Sequence, residues 1–177
     1  MTVLALDLGQ DIGYFLGDAV GPCRWGAAPL KKTTDLGMWL KSSDEFFQQI
    51  LPMCSAIAVE QPFLGSSYWP ARKLLALLGH LYYHANYVGI GAGSIKEIPV
   101  ATGKLTLAGS GRADKDAMIR AAAADGYEGM CEHSADAYGL WKVYVFGKRD
   151  PIPKPRTTTS RGKSILNAQA QNDGETP

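Results

Sequence analysis

Cysteine is scarce in this chain. Its three residues, Cys23, Cys54 and Cys131, are widely spaced and form no C-x-x-C pair. An odd count without a framework excludes a disulfide scaffold and points to reduced thiols, as in a cytoplasmic protein. A zinc site built on Cys131 and His133 finds no second Cys/His pair at zinc spacing. Charge of one sign is also missing: the formal net charge is +1 over 177 residues, so overall charge does not announce a nucleic-acid binder. No apolar run is long enough to span a bilayer, which argues against a membrane protein. Asp7 interrupts the N-terminal apolar run too early for a signal peptide, and no internal repeat is visible. What remains is an ordinary globular balance, 46% hydrophobic and 20% charged. The length suits one domain with a sizeable core.

The first stretch, Val3-Leu-Ala-Leu-Asp-Leu-Gly9, organises the reading. Apolar residues flank Asp7 on both sides, which suggests a strand buried on two faces. A carboxylate there is costly to desolvate and needs a partner, either a buried cation or a metal ion. A buried, hydrogen-bonded Asp and the central ligand of a divalent-metal site both satisfy that need.

In chain order, Val3–Leu8, Gly13–Leu16 and a segment around Cys23–Ala28 read as an antiparallel meander. Ser42-Ser-Asp-Glu45 has the form of a capping box with Ser42 as N-cap, followed by Phe46/Ile50 and Phe47/Leu51 at i, i+4 and a stop at Pro52. A short strand, Ser55–Val59, then ends on Glu60. The helix between makes this strand parallel to the first and brings Glu60 near Asp7. Trp69-Pro70 starts a helix with Leu74, Leu77, Leu78 and Leu81 as its buried stripe. Ile95–Val100 reads as another strand, and residues 103–112 as a loop rich in Gly and Thr. Asp114 caps a helix from Lys115 to about Ala124, stopped by Gly126. Ser134–Phe146 is the last helix, ended by Gly147. Beyond it, residues 148–163 carry six Lys/Arg against one Asp, and three prolines alternate at 151, 153 and 155. The expected organisation is a folded domain over 1–147 and a basic, polar, disordered tail over 148–177.

Four positions recur as candidate metal ligands: Asp7, Glu60, His133 and Asp136. His133 and Asp136, three residues apart at a helix start, share one face. Helix capping explains Asp136 equally well, and Glu60 also reads as an ordinary strand-end carboxylate. Three carboxylates and an imidazole would suffice for two ions roughly 3.5–4 Å apart. Oxygen-rich ligands suit Mg²⁺ or Mn²⁺. Glu132, beside His133, is the alternative fourth ligand; Asp11 and Asp114 are left over.

These stretches resemble the motifs of RuvC-type Holliday junction resolvases of the RNase H-like superfamily, and leave a phage-type member open. Leu6-Asp7-Leu8-Gly9 with Gly13-Tyr14 is similar to the family's first motif, although a proline usually follows the Asp. Val59-Glu60-Gln61-Pro62-Phe63 resembles the second. Lys104 to Lys115, eleven residues apart around Gly109-Ser110-Gly111, resembles the third, and Ser134-Ala135-Asp136-Ala137 the last. The four stand in the family's order over residues 1 to about 147. The resemblance implies an α/β RNase H-like fold with a central mixed five-stranded sheet flanked by helices. It implies that Asp7, Glu60 and Asp136 bind two divalent ions, with His133 where the family usually has Asp. Phe63 matches an aromatic that stacks on a base, while Lys104, Arg112 and Lys115 are expected to contact DNA. Lys115 is also counted with the catalytic set.

The implied activity is metal-dependent endonucleolytic cleavage of four-way DNA junctions by paired symmetrical nicks, carried out by a homodimer. The helix from about Pro70 is the candidate dimer face, although core packing explains its leucines as well. A broader flap or fork debranching nuclease and a junction-binding protein with little catalysis remain the alternatives. Asp7-Leu8-Gly9 also resembles the phosphate loop of actin-like ATPases, but that fold needs two such halves and the chain is too short.

Overall fold

The computed structural model describes residues 1–62 and 68–147. Five strands form one sheet: β1 (Val3–Asp7), β2 (Asp11–Gly17), β3 (Arg24–Pro29), β4 (Ala56–Glu60) and β5 (Ile95–Ile98). The spatial order is β3-β2-β1-β4-β5. The first three strands are an antiparallel meander. β4 runs parallel to β1, and β5 parallel to β4. The expected mixed five-stranded sheet is therefore the one observed.

Strand alternation divides the core between two faces. Leu4, Leu6, Ile57 and Val59 point to one face, where they pack with Trp39, Phe47, Leu77 and Leu81. These come from α1 (Leu36–Lys41), α2 (Asp44–Ile50) and α3 (Tyr68–Tyr87). Val3, Ala5, Phe15, Ala56 and Ala58 point to the other face, against Leu107, Met118, Ala135, Leu140 and Trp141. Those belong to α4 (Val100–Ala108), α5 (Lys115–Ala124) and α6 (Glu132–Phe146). The second face is lined by smaller side chains, so α6 lies close to the sheet.

Two expectations change. Ser42 does not cap the helix that follows it. It closes α1, which the sequence reading did not include and which Asp35 caps by accepting from Met38 N–H at 2.9 Å. The hydroxyl of Ser42 donates to Trp39 O instead, and Ser43 precedes α2 without a side-chain capping bond. The segment read as a Gly/Thr loop contains α4, which starts after Pro99 and ends at Gly109 with φ 75°. Gly103 is buried inside it because α4 crosses α6 there. A Cβ on Gly139 would sit 3.0 Å from the carbonyl oxygen of Gly103. The glycines serve a close helix crossing, not a turn. The Asp114 cap was read correctly, with its carboxylate accepting from Ala117 N–H at 2.8 Å.

Candidate active site

Asp7 and Glu60 end adjacent parallel strands, one register step beyond the Leu6–Val59 pair. By alternation from Ala5 and Ala58, both carboxyls lie on the α6 face. Asp136 approaches from the second turn of α6, and His133 from its first. What allows this approach is Gly13, paired with Asp7 across β1 and β2. A Cβ on Gly13 would collide with the carbonyl oxygen of His133, so only glycine lets the start of α6 rest on the sheet here. Further along, the Trp141 indole N–H donates to Gly17 O at 3.1 Å and ties the second half of α6 to β2.

The carboxyls strain against one another. Burial pushes Glu60 up to about 9, helped by its hydrogen bond with Asp7 and by the negative charges of Asp7 and Asp136; Lys104 opposes this. Asp136 is raised to about 6, mainly by burial and then by the charge of Asp7, with Lys104 and His133 in opposition. Its Oδ1 is buried with no hydrogen-bond partner among the described residues. A buried, unpaired carboxylate oxygen facing two further carboxyls is an arrangement a cation relieves. The donor set thus fits a hard divalent ion.

His133 stands beside Asp7, with Nδ1 at 3.4 Å from Asp7 Oδ2. Its Nε2 lies 3.4 Å from Glu132 Oε1 and 3.9 Å from Asp11 Oδ2. Glu132 is engaged by an ion pair with Lys115. That hydrogen bond holds Glu132 below its usual range and raises Lys115. Of the two candidates for a fourth ligand, His133 is the one in contact with Asp7. Lys104 Nζ donates to Ala113 O at 3.1 Å, and its side chain lines a small cleft with Glu60, Gly103 and Asp136. Arg112 is exposed just before α5. Phe63 and the basic tail lie outside the described residues.

The structure therefore brings Asp7, Glu60, His133, Asp136 and Lys104 together, with Lys115 reached through Glu132. Among the described residues, only Asp44, His80 and His84 bring three ligand atoms within 4.8 Å of one another; three of Asp7, Glu60, His133 and Asp136 would close in slightly to share one ion. The sequence reading missed this second cluster. Its visible signal was His80 and His84 at i, i+4; the third member joins only when α2 packs on α3.

No protein-family model and no curated protein sequence matches the chain. Solved structures do. The Thermus thermophilus RuvC structure is similar with a TM-score of 0.64 at 19% identity, covering 86% of this chain and 100% of that one. T. thermophilus RuvC in complex with a Holliday junction substrate is similar with a TM-score of 0.65 at 20% identity, covering 82% of this chain and 94% of that one. The fold of this chain is the RuvC fold.

Proposed function

We propose that the chain is a divalent-metal-dependent, structure-selective endodeoxyribonuclease that cuts four-way DNA junctions. One observation carries the reading most. Asp7, Glu60 and Asp136 converge half-buried at the ends of β1 and β4 beneath α6, with Asp136 Oδ1 unpaired. The likeness of fold to a protein solved with a Holliday junction supports the substrate class.

Asp7, Glu60 and Asp136 would hold the ions, with His133 as the fourth ligand; Mg²⁺ and Mn²⁺ suit the oxygens, and the imidazole favours Mn²⁺. When bound, the ions supply a polarised water and charge stabilisation at the scissile phosphate. The chain's own residues do the rest. Glu60 gives up its proton before it can act as an anionic ligand, so its binding of a cation is coupled to loss of that proton. Lys104, fixed by Ala113 O, keeps a positive charge on the side of Glu60 and Asp136. Lys115 is exposed and held by Glu132, a position from which it can reach a phosphate oxygen. Arg112 and Lys115 border the same end of α5 and would bind the DNA backbone. Each cut leaves a 5′-phosphate and a 3′-hydroxyl.

Paired symmetrical cuts require two sites, hence a homodimer with one site per chain. Leu75, Tyr83 and Tyr87 on α3 face solvent, which supports this helix as the contact. The test is cleavage of a synthetic four-way junction beside a flap, a fork and a linear duplex. Each is run with Mg²⁺, Mn²⁺ and EDTA, using wild type and Asp7→Asn. Symmetrical nicks confined to the junction and lost in the variant are expected. Equal cutting of flaps and forks would make this a general debranching nuclease. Tight junction binding without cutting in either metal would leave a binding protein and refute the catalytic reading.

A further inference from the structure

On the opposite face of the sheet from Asp7 and Glu60, α2 and α3 bring three donor atoms to one point. His80 and His84 are one turn apart on α3, so their rings project from the same face. His80 Nε2 lies 2.7 Å and His84 Nε2 3.2 Å from the same oxygen, Oδ1 of Asp44, in the first turn of α2. The two Nε2 atoms are 3.3 Å apart. Protons close such a triangle only in part. Asp44 Oδ1 can accept from both Nε2–H groups, but the 3.3 Å Nε2–Nε2 edge then sets two donors against each other.

A metal ion at the centre takes all three lone pairs at once. Bonds of about 2.0–2.1 Å in a tetrahedron give ligand–ligand edges of about 3.3 Å. Two of the three edges have that length already, and the third opens by about 0.6 Å to match it. The rings are also held in place. Phe47 lies 6.1 Å from the His80 ring and 5.6 Å from the His84 ring, and Tyr83 packs against both. The His80 and His84 rings meet edge-on at 4.6 Å. The side chains of His84, His80 and Asp44 are 12%, 22% and 34% exposed, so the cluster is partly enclosed yet reachable from solvent.

We infer that Asp44, His80 and His84 form a second metal site, specific for a late first-row divalent cation and above all Zn²⁺, which fastens α2 to α3. Two imidazoles and one carboxylate select this class over Mg²⁺, and the fourth position is left to water. The site lies apart from the candidate nuclease centre and does not depend on its chemistry.

The test uses the histidines of the full chain. There are three, His80, His84 and His133, so their ring resonances distinguish the two sites without ambiguity. Zinc added below one equivalent to metal-free wild type is expected to move the Nε2 signals of His80 and His84 first, and to do so equally in Asp7→Asn. Cobalt bound there should give the visible absorption of a four-coordinate site. His80→Gln, checked by circular dichroism, is expected to lose at least about 100-fold in zinc affinity, since even residues behind a ligand cost 10–100-fold. Zinc that moves only His133, binds His80→Gln as tightly as wild type, or moves no histidine at excess metal would overturn the assignment. Wild-type spectra decide the matter even if the variant folds poorly.

Discussion

Replacing Glu60 by Gln should stabilise the metal-free protein, and should do so more as the pH rises. In the unfolded chain Glu60 titrates near its ordinary value of 4.5, whereas in the fold it is pushed up to about 9. Between these limits the folded state holds a proton that the unfolded state has released, so stability falls as pH rises. One full proton is worth about 1.4 kcal/mol per pH unit. Asp136 behaves the same way, but its contribution ends by about pH 6. Cys54, raised to about 11, and Tyr127, raised to about 12, titrate well above the window. From pH 6.5 to 8.5 Glu60 therefore accounts for the slope. Allowing for water entering the site, the wild type should lose about 1.5–2.5 kcal/mol over those two units. That is roughly 3–10 °C in Tm for a chain of this size. The Gln variant has no proton to retain and should stay flat. The assay is urea unfolding in EDTA at several pH values. Saturating Mg²⁺ or Mn²⁺ should abolish the wild-type slope, because the ion replaces the proton. Parallel pH profiles for wild type and Glu60→Gln would refute the burial of an uncompensated carboxyl at this position.

Four further outcomes are expected. His133→Asp should shift the metal preference from Mn²⁺ toward Mg²⁺, because a carboxylate oxygen replaces the imidazole nitrogen; an unchanged metal preference in a cleavage assay would mean His133 is no ligand. Gly13→Ala should cost about 3 kcal/mol in urea unfolding, since its Cβ meets backbone of α6, and should lower activity as well. Gly79→Ala, on α3 with nothing near its Cβ, should instead gain up to about 1 kcal/mol by the same measurement. Asp7→Asn should abolish cleavage while retaining junction binding in a gel-shift assay, because phosphate contacts rather than the acidic cluster supply affinity.

Much of the sheet was legible because its signals are local. The apolar runs around Asp7 and before Glu60, the Asp114 cap and the Gly147 stop can each be read within a few residues. The parallel pairing of β1 and β4 followed from handed crossover connections. The misreadings came where a residue's role is set by a distant neighbour. Gly103 has the composition of a loop and the position of a helix crossing, and only α6 explains it. Ser42 has two helices to choose between, and the α1 carbonyl of Trp39 claims its hydroxyl. Gly13 reads in sequence as the start of a strand and as part of the first motif; its physical reason is the backbone of His133, far away in sequence. Asp44 likewise looks like part of a capping box until α3 is beside it.

The bond from Trp141 to Gly17 has a consequence for aim. It sits five residues beyond Asp136 on the same rigid rod and fixes the azimuth of α6 about its own axis. A side-chain tip about 6 Å from a helix axis sweeps about 2 Å for a 20° roll. That arc would carry the Asp136 carboxylate out of line with Asp7 and Glu60. An indole N–H with no chemistry of its own thus sets the angular tolerance of the acidic centre, and a tryptophan more than a turn away acts as its sight.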